Sequence, residues 1–426
     1  SMKMKVLTSA IATALVCSPL VAAAEEQANA AQIEQMEEHQ PVVLDPEFKV
    51  EEGIIFSGYA RYGLHYSDDF NKYVRAEAQL AGQAAGRLGN EDNWMEWMLS
   101  QGFENGDAKF DMNVMINTPG FSPTWGDTIG LAQFYGGGKG IFASQPDAYI
   151  WAGKRFYGRE QGGLSDYYML SADGSGAGVD NLDIGLGKLD LGWTQGGAAT
   201  SSETKNGSVN TLAIHWHDIK VSDQGALKFR VNYGFGTADV KDNIKNDSAW
   251  QLFASYRQGL SNGWFQLAGR YETDAAALTI SNSAGHNWSN VRDVNADSYG
   301  VFLDGAVNFG DMTAMEYNAN WLRIECEDGR QACTFKENNE YSFAVRPQHH
   351  WNEFMATAVE AGFQATEQDG KGSDAWKVTL SQNFQVGHFM WSRPVVRFYA
   401  VTGEIKTDDQ PKYDLTKIGA MVEAWW

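Results

Sequence analysis

From Gly53 to the C-terminus the chain alternates apolar and polar residues with a period of two, in runs longer than a small soluble strand uses. In Gly53–Ser67 the even positions are Ile54, Phe56, Gly58, Ala60, Tyr62, Leu64 and Tyr66. The odd positions are Ile55, Ser57, Tyr59, Arg61, Gly63, His65 and Ser67, mostly polar. Phe110, Met112, Val114 and Ile116 alternate in the same way with Asp111, Asn113, Met115 and Asn117. Leu227, Phe229, Val231, Tyr233 and Phe235 do so with Lys228, Arg230, Asn232 and Gly234. Further runs start at Phe265, Tyr299, Tyr341 and Trp376, and no segment after Gly53 reads as a long amphipathic helix. A soluble sandwich also alternates, but with shorter strands whose apolar faces meet another sheet.

No apolar run approaches the roughly 18 residues of a membrane helix, which excludes a helical membrane protein and leaves a β-barrel open. Gly is abundant at 45 and Pro scarce at 9, against collagen-like or Pro-rich disordered chains. The net charge of -21, from 33 basic and 54 acidic residues, makes nucleic acid a poor partner. Residues 1–24 read as a secretory signal peptide: Lys3 and Lys5, then the apolar Val6–Val16, then Ala22-Ala23-Ala24 before Glu25. Ser1, ahead of Met2, reads as an added residue. A lipid-modified Cys17 is disfavoured because the bulky Val16 precedes it.

Residues 25–52 form an acidic leader with nine acids and one base, Lys49. Ala28, Ala31, Ile33 and Met36 make a weak helical stripe ended by Pro41, so a short trimerising coil and a flexible leader both stay open. Export leaves Cys326 and Cys333 around a polar, Gly-containing turn. A small disulfide loop is expected, with two free thiols as the alternative. Metal binding there is weak, since no His is near and the spacing fits no zinc pattern. Strands with aromatic ends behind a signal peptide favour a transmembrane antiparallel barrel over residues 53–426. The last strand agrees: Ile418, Ala420, Val422, Ala424 and Trp426 share one face, and Gly419, Met421, Glu423 and Trp425 the other.

Several stretches resemble the maltoporin family of outer-membrane carbohydrate porins. They are Phe56-Ser57-Gly58-Tyr59-Ala60-Arg61, Gly86-Arg87-Leu88-Gly89-Asn90-Glu91 and Trp151-Ala152-Gly153-Lys154-Arg155-Phe156-Tyr157. Gly176-Ala177-Gly178 through Lys188, Trp391-Ser392-Arg393-Pro394 and Trp425-Trp426 follow, in family order. The resemblance implies an all-β barrel of 18 antiparallel strands in the bacterial outer membrane, with one loop folded into the lumen. It also implies a homotrimer, lipids around the wall, and passive diffusion of oligosaccharides such as maltodextrins or other glucosides, without enzyme activity or cofactor. From Gly53 onward the length allows about 21 residues per strand, enough for a strand of ten or eleven and its connection.

A sugar presents apolar C–H faces and a hydroxyl rim, so a guiding pore needs aromatic planes and charged hydrogen-bonding groups. By resemblance, the aromatic slide falls on Tyr59, Trp94, Trp264, Trp391 and Trp425, each on a face with polar neighbours. Trp125 is the candidate from a neighbouring subunit's loop. The polar track falls on Arg61, Arg87, Glu96, Arg159, Asp166 and Tyr168, the last three in the loop expected to form the constriction. Gln161 replaces a family Asp and Gly163 a His, which puts maltodextrin specificity in doubt. The family's first-loop disulfide is not matched; Asp92 stands near that position. A general ion-selective porin is the competing reading, although aromatic planes are useless to ions. An enzyme is disfavoured: His215 and His217 share a strand face without a ligand framework, and His349 and His350 point to opposite faces. A bacteriophage-receptor role for the outer loops stays open.

Overall fold

The computed structural model describes residues 53–68, 73–119, 129–196, 209–235, 248–273, 296–326 and 335–426. The signal-like segment, the acidic leader, Trp125 and Cys333 lie outside the described residues. The first strands are β1 (Gly53–Ser67), β2 (Trp94–Asn105), β3 (Ala108–Pro119), β4 (Gly130–Lys139) and β5 (Tyr149–Arg155). Two short strands follow, β6 (Glu160–Gly162) and β7 (Tyr167–Leu170), then β8 (Gly174–Asp183), β9 (Lys188–Gly196) and β10 (Val209–Lys220). The chain continues with β11 (Gly225–Phe235), β12 (Ser248–Leu260), β13 (Gly263–Thr273), β14 (Ala296–Asn308) and β15 (Thr313–Cys326). It ends with β16 (Glu337–Asn352), β17 (Met355–Gln368), β18 (Lys371–Gln385), β19 (Val395–Thr407) and β20 (Tyr413–Trp425).

Eighteen of these strands form one antiparallel sheet, and β6 and β7 pair only with each other. Each sheet strand pairs with its neighbour in sequence, and β1 pairs with β20 from Tyr59↔Trp425 to Ser67↔Lys417. That pairing closes the barrel. Backbone bonds between Gly58 and Trp426, at 3.1 and 3.2 Å, extend the seam by one residue. Closure is what permits a sheet to cross a bilayer, since no edge is left with unpaired N–H and C=O groups in hydrocarbon.

The two faces invert the usual order of a soluble protein. Large apolar side chains stand exposed on the outer face, including Ile54, Leu64, Phe343, Phe398 and Ile418. The inner face buries charge: Glu340, Glu360, Lys377 and Glu423 are each 0% exposed. Water does not drive an apolar face outward; a hydrocarbon solvent does. The alternation read from sequence therefore has its apolar set facing outward, with Phe56, Phe110 and Phe229 exposed and Arg230 and Asn232 buried.

The connections at the end that holds the C-terminus are mostly turns of two to four residues, apart from 140–148 and 386–394, and most of those at the other end are longer. Two of the long connections turn inward. In residues 73–93, Val74, Leu80, Ala81, Ala84 and Leu88 are buried against the inner wall. Their backbone is held by wall side chains: Ala76 N donates to Gln364 Oε1 at 3.2 Å, Leu88 N to Glu360 Oε1 at 2.9 Å, and Leu80 N to Glu340. Gly86 allows the approach. Its φ of +95° suits glycine, and a Cβ there would collide with the Glu360 carboxylate.

Candidate functional site

The second inward connection, residues 156–173, is pinned by charge and by backbone. Glu160 receives Lys228 Nζ at 2.8 Å and Arg230 Nε at 2.6 Å from β11. Arg270 of β13 donates to Tyr167 Oη at 3.0 Å and to Met169 O at 2.6 Å. These inward-facing partners put the β6–β7 hairpin inside the barrel. Burial raises the Glu160 carboxyl, but the Lys228 and Arg230 charges outweigh it and hold it below the usual carboxylate range.

The expected polar residues fall into two linked groups. Arg61 donates through Nε to Asp92 O at 2.7 Å and through NH1 to Asp166 Oδ2 at 2.8 Å, tying β1 to both inward connections. Gln161 Nε2 donates to the other Asp166 oxygen at 2.8 Å. Burial pushes the Asp166 carboxyl up, but Arg61 and then Arg87 outweigh it, and the group stays below the usual carboxylate range. Arg87 Nε lies 2.7 Å from Glu91, and the same guanidinium meets Glu423. Glu423 also receives Arg393 at 2.8 Å, Arg397 at 2.6 Å and the Tyr59 hydroxyl at 3.0 Å. In the second group Arg159 grips Asp173 through Nε at 2.9 and 3.1 Å and donates to Tyr168 Oη at 3.3 Å. The Tyr168 hydroxyl is pushed up to about 12 by burial. Glu96 lies in the field of Arg159 and accepts a hydrogen bond from the Trp94 indole.

The aromatic candidates divide. Tyr59 and Trp425 stack with centroids 6.5 Å apart and planes 19° from parallel. Trp391 forms a buried cluster with Ala306, Ala314 and Met390, against which Trp264 and Trp425 pack. Strand alternation places Trp264 and Trp425, while the turn between β18 and β19 delivers Trp391. Trp391 Nε1 donates to Glu316 Oε1 at 2.9 Å, which fixes the ring. Guanidinium groups cover one side of two rings: Arg257 lies 4.1 Å from the Trp264 centroid and Arg393 4.3 Å from that of Trp425. Trp94 stands apart from this cluster, with Glu96 and the constriction group.

Other inward residues were not singled out in the sequence. Arg155 sits among the rings of Tyr135, Tyr149, Trp151 and Tyr157, at 4.9 to 5.8 Å, and pairs with Asp180 at 2.6 Å. That sector of the interior is packed by protein. Arg346 bridges Glu316 and Glu360 at 3.2 and 2.7 Å, and Lys377 adds 2.7 Å to Glu360. The signal for these was present in strand parity; the signal for residues 73–93 was the alanine-rich stretch from Ala76 to Ala85, broken by Glu77, Gln79 and Gln83. His215 and His217 do share the inner face, with Arg230 and Asp190 as partners at 2.7 and 3.0 Å. Among the described residues no group of three ligating side chains could hold a metal.

A closed barrel with an apolar exterior, a charged interior and inward-folded connections defines an outer-membrane porin. The LamB porin family matches residues 54–426, and the chain belongs to that family. It is similar to a maltoporin of Vibrio cholerae serotype O1, 30% identical over 401 residues that cover 85% of this chain and 96% of the relative. A maltoporin of Hahella chejuensis is 28% identical over 386 residues, covering 87% and 92%. Among solved structures, the Pseudomonas aeruginosa channel OccK2 (OpdF) in complex with glucuronate superposes with a TM-score of 0.50 at 10% identity, covering 87% and 98% of the two chains. That likeness concerns the fold. The protein is a channel of the bacterial outer membrane.

Proposed function

We propose that this porin passes oligosaccharides, maltodextrin-like or other glucosides, down their gradient along an aromatic slide flanked by polar tracks. The observation that carries the reading is the grouping of Trp264, Trp391, Trp425 and Tyr59 beside the Arg87–Glu423–Arg393–Arg397 charges. Flat rings take up the C–H faces of a sugar, and fixed charges exchange hydrogen bonds with its rim. The relatives named maltoporin support the same reading.

If each stacked ring removes about 60 Å² of apolar surface from water, burial contributes roughly 1.5 kcal/mol per ring. Two or three contacts, less ordering costs, correspond to roughly millimolar affinity. Weak, repeated sites are what conduction needs, because a tight site holds its ligand. Trp94 with Glu96, Arg159 and Tyr168 serves the constriction end of the path, and Trp125 is contributed across a homotrimer interface. Outer-membrane lipids surround the wall, and the outer loops are available to bacteriophage.

Swelling of proteoliposomes tests the reading. Glucose oligomers are expected to enter faster than polyethylene glycols of equal hydrodynamic size. Equal rates at every size would leave a general ion-selective porin as the function.

A further inference from the structure

A cavity of about 30 Å³ opens on the inner wall where β13, β14 and β15 meet the β6–β7 hairpin. Its lining includes the indoles of Trp264 and Trp391, the amides of Gln161 and Gln266, and two carboxylates, Asp304 and Glu316. The carboxylates differ in their surroundings. Glu316 accepts from Trp391 and lies 3.2 Å from Arg346 NH1. Asp304 projects inward from β14 and, among the described residues, its charged neighbour is another acid, Glu316. No cation of the described residues reaches it. The hairpin leaves its carboxylate open: a Cβ at Gly162 would stand 3.2 Å from Asp304 Oδ1, and Gly163 adds no side chain to the cavity.

A volume near 30 Å³ exceeds the roughly 10–15 Å³ that one water needs, so the notch has room for a substituent projecting from a sugar ring. Trp264 and Asp304 line the same notch, so a sugar ring on Trp264 sits beside the carboxylate. An unneutralised carboxylate beside a second acid attracts a cation, accepts from a hydroxyl and repels an anion. We propose that Asp304 is a specificity-determining residue of the pore, ranking sugars by the substituent placed in this notch: ammonium above hydroxyl, hydroxyl above carboxylate. The proposal rests on the sugar-pore reading and adds the ligand's charge to it.

The test uses the full-length reconstituted channel and a maltotriose series in which one ring carries an amino group, its native hydroxyl or a carboxylate. Half-blocking concentrations are read from single-channel current. Wild type is expected to be blocked by the amino derivative at about tenfold lower concentration than by the carboxylate, the scale of one charge-assisted hydrogen bond. Asp304→Asn, which keeps the shape, and Asp304→Ser, a second neutral variant, are expected to narrow that spread to about twofold while the native trisaccharide still blocks. A spread that is the same in wild type and both variants overturns the role of Asp304. Failure of every sugar to block wild type would instead overturn the sugar-pore reading itself.

Discussion

Trp391 is held by two independent restraints: packing against Ala306, Ala314 and Met390, and the hydrogen bond to Glu316. The ring is only 5% exposed, so it offers a sugar little area of its own and acts by holding the more open Trp264 and Trp425, which pack on it, in place. Trp391→Ala is expected to raise the sugar concentration for half-block about tenfold by releasing the Trp264 and Trp425 planes packed on it, with ion conductance level or higher. Unchanged block for every sugar would remove the slide from the binding account. Asp166 carries a second residue-scale prediction. Its carboxyl lies below the ordinary range in the folded protein, so the docking it contributes is complete above about pH 4 and fades as pH falls through the lower native value. Current noise from the constriction should therefore stay constant from neutral pH down to about pH 4 and grow only below it. Growth of noise on raising the pH from neutrality would contradict the Arg61–Asp166 tether. That Tyr59, Trp264 and Trp425 face inward was legible in the sequence because each shares strand parity with charged residues, while their place in a slide came from the resemblance alone. The setting of Asp304 was not, since parity marks it as inward but says nothing of which cations stand near.

At the scale of elements, the terminal strand separates two roles by one residue. Trp425 packs inward toward Trp391, while Trp426 is 44% exposed and lies 5.5 Å from Phe56 on the outer face. Trp426→Ala is expected to lower the yield of folded channel in the outer membrane and leave sugar affinity of the surviving pores near normal. The reverse result would invert the register, because a one-residue slip exchanges faces. Cys326 ends β15 and is disulfide-bonded, while Cys333 lies outside the described residues. Mass spectrometry of the unreduced protein is expected to find a Cys326–Cys333 peptide, and two alkylated thiols would refute it. Reduction should change barrel stability little, because so short a loop restricts the unfolded chain less than a long one. Strands and closure were readable because period two is a local property. Residues 73–93 were not, because their order comes from the Glu340 and Glu360 carboxylates, the Gln364 amide and the Lys377 ammonium on β16, β17 and β18, far away in sequence.

For the whole molecule, the same alternation answers to two solvents. The outer face meets hydrocarbon, and the inner face is filled with paired charge that two inward connections bridge. Within it aromatic rings and guanidinium–carboxylate pairs lie side by side: Arg393, paired with Glu423, covers the Trp425 ring. The central claim of the proposed function is a weak, saturable sugar site inside a conducting pore. Single-channel recording in the presence of malto-oligosaccharides tests that most directly. The expected result is a reversible, concentration-dependent loss of ion current with half-block in the roughly millimolar range, deeper for a longer oligomer than for a disaccharide. An ion current indifferent to every oligosaccharide at saturating concentration would contradict it.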